Sequence, residues 1–137
     1  MIDELIKWKQ QCEQSMWAAR KAAAEVETAI GAVLTVPCER YEDAENKMRN
    51  AIEASVATRL RAGENARILR ERAIETSAAI ADGSIAANEA AKACFIAVEA
   101  AVSAGVAEME ARECWRAEMR AHEAVRDRMQ DRKGRVK

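Results

Sequence analysis

The single histidine, His122, stands four residues after Glu118 in the run Glu118-Met119-Arg120-Ala121-His122-Glu123. On a helix that spacing puts a carboxylate and an imidazole on one face, and two copies of Glu-x-x-x-His in a symmetric dimer could ligate a metal. The dinuclear carboxylate bundles instead need Glu-x-x-His, three apart, with further glutamates on facing helices. That spacing is absent, so no metal and no cofactor is expected. One histidine without a Gly-x-Ser-x-Gly run or its equivalent supports no nucleophilic catalysis. The five glycines are isolated, so no loop cradles phosphate. Nearly every carboxylate has a basic residue three or four positions away, which reads as surface pairing worth about 0.2–0.5 kcal/mol each. The chain is expected not to be an enzyme.

The four cysteines, Cys12, Cys38, Cys94 and Cys114, form no Cys-x-x-Cys pair. They read as small buried hydrophobes in a reducing cytoplasm rather than a disulfide framework. Met16, Met48, Met109, Met119 and Met129 read as core gap-fillers. From residue 126 onward the basic residues Arg126, Arg128, Arg132, Lys133, Arg135 and Lys137 oppose only Asp127 and Asp131. Such an arm can contact phosphates, and the same cations suit the negative end of a helix dipole. Net charge over the 137 residues is −1, which supplies no global field to attract nucleic acid or an anionic membrane.

What must position these residues is a set of long helices. Alanine fills roughly one position in five, well above ordinary usage, and Pro37 is the only proline. Only Val36-Pro37 and Asp82-Gly83-Ser84 break the helical pattern, because Pro and Gly are the strongest local breakers. The expected fold is therefore all-α: a single domain of three long helices in an antiparallel hairpin or coiled-coil bundle, over about 3–34, 37–81 and 85–132, with a basic tail at 133–137. Charge balances within each part, with 4 basic and 5 acidic groups in 1–36, 8 and 9 in 37–83, and 10 and 9 in 84–137.

The first helix carries a stripe at Leu5, Trp8, Cys12, Met16, Ala19, Ala23, Val26, Ile30 and Val33, in steps of three and four. The second carries Tyr41, Met48, Ile52, Val56, Leu60, Gly63 and Ile74 on one side and Ala66, Leu69, Ala73 and Ile80 on another, which implies two neighbours. Gly83 suits a left-handed helix end and Ser84 an N-cap. With a turn centred near these two, facing residues have numbers adding to about 168. Gly63 and Gly105 then lie at one level, as in a close backbone contact.

Folding the first helix back at Pro37 brings it only to about residue 70 of the second, opposite about residue 98 of the third. The tip, roughly 72–96, would lack a third helix. Yet 85–107 holds only Glu89, Lys92 and Glu99 as ionisable groups, and a helix apolar nearly all round must be covered. Self-association through Ile85, Cys94, Phe95, Val98, Val102, Gly105 and Val106 is the expected cover, as a twofold homodimer. Trp8, Trp17 and Trp115 are candidate anchors for another, unidentified protein. The stretch 93–107 contains Glu99 and is too short to span a bilayer, and no N-terminal run has the form of a signal peptide. A cytoplasmic protein without a membrane partner is expected.

By length and composition the chain resembles the stalk and chaperone proteins of type III secretion and flagellar export, although Pro37 departs from their two-helix hairpins. Cys12, Arg20-Lys21, Arg49-Asn50, Ile52-Glu53 and Gly63, all in the first half, resemble the polarity-suppression proteins of satellite phages. Those are helical dimers that decorate capsids and inhibit the transcription terminator Rho. The second half of the chain carries no counterpart. The resemblances imply a non-enzymatic module (adaptor, chaperone, inhibitor or structural component) that binds protein. The alternative is an accessory protein that touches nucleic acid through its basic C-terminal arm.

Overall fold

The computed structural model describes the backbone of residues 2–136 and the side chains of residues 2–131. Three helices account for nearly all of it: α1 (Ile2–Thr35), α2 (Tyr41–Ala81) and α3 (Ala87–Val136). Each packs against both of the others. At about 1.5 Å per residue, α2 is roughly 60 Å long and α3 roughly 75 Å. Asp3 and Glu4 begin α1, and Glu42 and Asp43 begin α2, where acidic side chains favour the positive end of the dipole.

Proline 37 does not start α2 directly. It is extended (φ −60°, ψ 153°) and leads into a single 3-10 turn, Cys38–Arg40, closed by the Arg40 N–H donating to the Pro37 carbonyl at 2.9 Å. Those three residues swing the chain through its reversal, so α2 begins four positions later than the proline predicts.

At the other end α2 terminates in a Schellman motif. The Ser84 N–H donates to the Ala79 carbonyl at 3.0 Å and the Gly83 N–H to the Ile80 carbonyl at 3.3 Å. Gly83 takes φ +79°, which glycine adopts at no steric cost. Ser84 does not cap α3. Its N–H and hydroxyl both donate to Asp82 Oδ1, holding the Asp82 carboxyl below its usual range. The turn is thus closed on itself, and α3 starts only at Ala87.

The hairpin register consequently differs from the one expected. Arg70 meets Glu108 at 2.6 Å, Ser55 meets Glu118, and Ala62 packs with Cys114. These pairs shift α3 along α2 by more than a turn. Gly63 therefore stands near Ala111 and Arg112 rather than Gly105. A methyl group added at either glycine would meet nothing within 4 Å, so the predicted glycine–glycine contact does not exist.

The core is built mostly of methyl groups: 15 of the 24 buried hydrophobic residues are alanine. Larger side chains gather in two clusters. Near the start of α1, Leu5 and Cys12 pack with Leu69, Ala73, Ile96 and Ala100, flanked by Ile2, Trp8 and Met16. Near its end, Val26 and Val33 pack with Tyr41, Met48, Ala117 and Ala121. Between them the waist is Ala19, Ala62 and Cys114.

Helix α2 buries one stripe, not two, running through Tyr41, Ala44, Met48, Ser55, Ala62, Ala66, Leu69, Ala73, Thr76 and Ala79. Leu60 and Ile74, assigned inward by their size, are exposed. The small residues occupy the inner positions because only they permit this close approach.

The hairpin tip is also better covered than expected. Glu4 pairs with Arg72 at 3.4 Å and Lys9 with Glu99 at 3.6 Å, and Ile2 and Asp3 border a cleft with Ser84, Ile85, Ala86, Glu89 and Lys92. Helix α1 reaches further along α2 than expected, with Ser15 meeting Asn65, and so lies alongside residues 93–107 of α3. Ala93, Ile96, Ala97, Ala100, Ala104 and Ala107 are buried by the chain's own helices, while the opposite side of the same stretch is bare.

The contrast between Leu69 and Ile74 is measurable. Leu69→Ala leaves a cavity and is expected to cost about 3 kcal/mol. Ile74→Ala should change stability by less than about 0.5 kcal/mol. Urea unfolding followed by circular dichroism checks both.

Candidate functional site

Helical periodicity sorts the middle of α3 into two apolar faces. The inward face takes Ala93, Ile96, Ala97, Ala100, Ala104 and Ala107. The face turned away from α1 and α2 carries Phe95, Val98, Val102, Gly105 and Met109, in steps of three, four, three and four. The four large side chains are 64, 59, 62 and 65% exposed, respectively, for Phe95, Val98, Val102 and Met109. A solvent-facing helix surface is ordinarily charged, and here the first charged residue on the stripe is Arg112.

Five of the thirteen exposed large hydrophobics among the described residues, Phe95, Val98, Val102, Val106 and Met109, fall between 95 and 109 of α3. That clustering separates a contiguous patch from the scattered apolar residues every surface has. Of the residues expected to self-associate, Phe95, Val98, Val102 and Gly105 share this face. Cys94 and Val106 flank it, both exposed. Ile85 does not belong to it: it lies half-buried in the turn before α3, beside the cleft that Ile2 and Asp3 border.

The three tryptophans separate. Trp8 is half-buried against the Leu5–Leu69–Ile96 cluster, so it is a core residue rather than an anchor. Trp17 is exposed, with the Arg20 guanidinium 4.9 Å from its ring centre in a cation–π arrangement. Arg20 also bonds Glu110 at 2.6 Å, which raises its pKa further. Trp115 is exposed and lines a shallow groove of about 440 Å³ with Leu60, Gly63, Arg59, Glu64 and Arg112.

Of the basic arm, Arg128 is engaged within the chain. Arg128 donates to the Val36 carbonyl at 2.8 Å and the Leu34 carbonyl at 3.5 Å, and its guanidinium lies 5.8 Å from the Tyr41 ring centre. The last turn of α1 holds no basic residue of its own. Arg128 supplies the positive charge that its unpaired carbonyls favour. Arg126 is exposed. The side chains of Arg132, Lys133 and Arg135, and Lys137 as a whole, lie outside the described residues.

Glu118 and His122 do not act together. Glu118 is 4% exposed, with Arg59 donating to both its oxygens at 2.9 and 3.1 Å and the Ser55 hydroxyl donating at 3.1 Å. His122 is exposed one turn further on. Among the described residues, no three His, Cys, Asp or Glu side chains are grouped to hold a metal. Burial pushes the Cys12 and Cys114 thiols up, reinforced by nearby glutamates, which disfavours the nucleophilic thiolate. The Cys114 thiol donates to the Ala19 carbonyl at 3.2 Å.

The buried Ser55–Arg59–Glu118 cluster escaped sequence reading, although a glutamate falling on the inward stripe beside Cys114, Ala117 and Ala121 is its signal. Among the described residues, α3 is by length and composition long and apolar enough to cross a membrane, its apolar 18-residue stretch having a mean hydropathy of 1.6 and a third of it lying buried inside the bundle. No family model, no curated protein and no solved structure matches this chain.

Removing one member of the buried cluster strands the others. Glu118→Ala is expected to cost about 3 kcal/mol, with much of the loss recovered when Arg59 and Glu118 are both replaced by leucine. Arg128→Ala is expected to cost about 1–2 kcal/mol through the lost contacts at the end of α1. Thermal and urea unfolding of the variants measures each.

Proposed function

We propose that this chain is a non-enzymatic helical assembly module that works by binding protein, first of all a second copy of itself. The observation that carries this reading is the apolar outward face of α3 from Phe95 to Met109. In a single copy its side chains face water, and covering apolar surface gains roughly 25 cal/mol per Å². A methyl-rich core adds to the argument, because it buries little area per residue and leaves the isolated chain few ways to gain stability other than association.

In this reading the apolar face of α3 joins two copies, and surfaces outside it remain for another protein. Trp17 with its stacked Arg20 lies on α1, away from that face, and the Trp115–Leu60 groove borders its Arg112 end; both are aromatic features of the kind that dominate interfaces. An adaptor, chaperone, inhibitor or structural role is compatible with such a dimer, and a cytoplasmic location belongs to the same proposal. The nucleic-acid alternative would have to use cations other than Arg128, which is occupied at the end of α1.

Light scattering and sedimentation equilibrium at micromolar concentration test the proposal. The expected result is twice the 15.1 kDa chain mass for the native protein. Val102→Glu is expected to be monomeric at unchanged helicity, because it places a charge at the centre of the apolar face. A native monomer at that concentration overturns the reading.

A further inference from the structure

We propose that two copies of α3 pack antiparallel, about a twofold axis passing between Val102 and Gly105, with Phe95 of each copy lying on the partner's Arg112. This rests on the self-association reading above and adds its geometry. The stripe Phe95, Val98, Val102, Gly105, Met109, Arg112 is spaced three, four, three, four, three. That series reads the same in both directions, so a twofold axis at its middle lays each position onto one of the partner. Phe95 then faces the partner's Arg112, Val98 the partner's Met109, and Val102 the partner's Gly105.

Each facing pair is chemically matched. An arginine over a phenylalanine ring is a cation–π contact, and among the described residues Arg112 makes no ion pair within its own chain. A methionine beside a valine fills space adaptably. Gly105 is open toward the outside, since an added methyl group there would meet nothing within 4 Å. Within its own bundle that glycine accomplishes nothing and still costs about 1 kcal/mol of helix stability relative to alanine. Against a partner helix it lets the two backbones approach at the axis, where the partner's Val102 sits.

Charge complementarity selects the antiparallel direction. Lys92 and Glu113 lie three heptads apart on the same edge of the stripe. Antiparallel packing brings like edges together, so Lys92 of each copy meets the partner's Glu113 at both ends of the interface. Among the described residues Lys92, which borders the cleft beside Asp3, makes no ion pair within its chain, and Glu113 holds a surface pair with Arg116 and no other. Parallel packing would instead set Arg112 against the partner's Arg112. Given the exposed fractions of its side chains, the stripe presents on the order of 500 Å² per copy, and pairing two removes about 1,000 Å², the lower bound of a specific interface.

Cross-linking tests the geometry in the full chain with the exposed cysteines removed (Cys38→Ser, Cys94→Ser). The double variant Val98→Cys with Met109→Cys is expected to form a covalent dimer in high yield with a short bis-maleimide. Val98→Cys alone is not, because its two copies would lie roughly 16 Å apart along the helix. Arg112→Glu is expected to raise the dimer dissociation constant about tenfold, since the contact occurs twice per dimer.

Efficient cross-linking of Val98→Cys alone means parallel packing and overturns the inference. A dimer that the double variant fails to cross-link, or whose affinity Arg112→Glu leaves unchanged, overturns this geometry while leaving self-association intact. A chain that stays monomeric, or that sediments with phosphatidylcholine vesicles instead of dimerising, overturns both.

Discussion

The close approach of three helices over a core of methyl groups is the condition that everything else in this structure depends on. Alanine at the inward positions lets the backbones come near, but it discriminates poorly between one register and the next, since a shifted alanine meets another alanine. Register must be set elsewhere. The two clusters of larger residues, around Leu5–Leu69–Ile96 and Val26–Tyr41–Met48, act at the ends. At the waist, the Arg59–Glu118 pair and its Ser55 donor act as a key. A slip by one turn would leave a glutamate buried without a partner, which is far costlier than any alanine mismatch.

The same condition explains why bulky hydrophobics appear on the outside. A helix whose inner stripe is restricted to small side chains has nowhere within the bundle for Phe95, Val98, Val102 or Met109. They occupy the outer face of α3, which a typical amphipathic helix gives to charge. Interhelix ion pairs such as Arg70–Glu108, Lys9–Glu99 and Arg20–Glu110 lie along the edges of the core. The exposed side of α3 between them is therefore flanked by charge and apolar along its middle, a composition suited to recognising a similar surface.

The three helices and their two breaks were legible in the sequence because they depend on local chemistry: Pro37 cannot continue α1, and Gly83 is the residue that accepts φ +79°. Which side of each helix faces inward was less legible. Periodicity weighted by size placed Leu60 and Ile74 inside and left Ser55 and Glu118 off the buried face, because the rule that large apolar residues are buried fails where only methyl groups fit. The hairpin register was not legible either. It depends on how far the chain travels after its Schellman turn before α3 resumes, a tertiary outcome that no local motif encodes. Of the candidate site, the weakly charged stretch was visible from composition, whereas the division into an inner face of alanine and an outer face of larger residues required coordinates. Arg128 looked like part of a basic tail, and only packing shows it bonded to a carbonyl 92 residues earlier in the chain.

That last bond has a kinetic meaning. The joint between the first two helices is completed by a guanidinium from close to the far end of α3, so during synthesis the α1–α2 pair emerges with its carbonyl end still hydrated. Consolidation there waits until α3 has left the ribosome as far as Arg128.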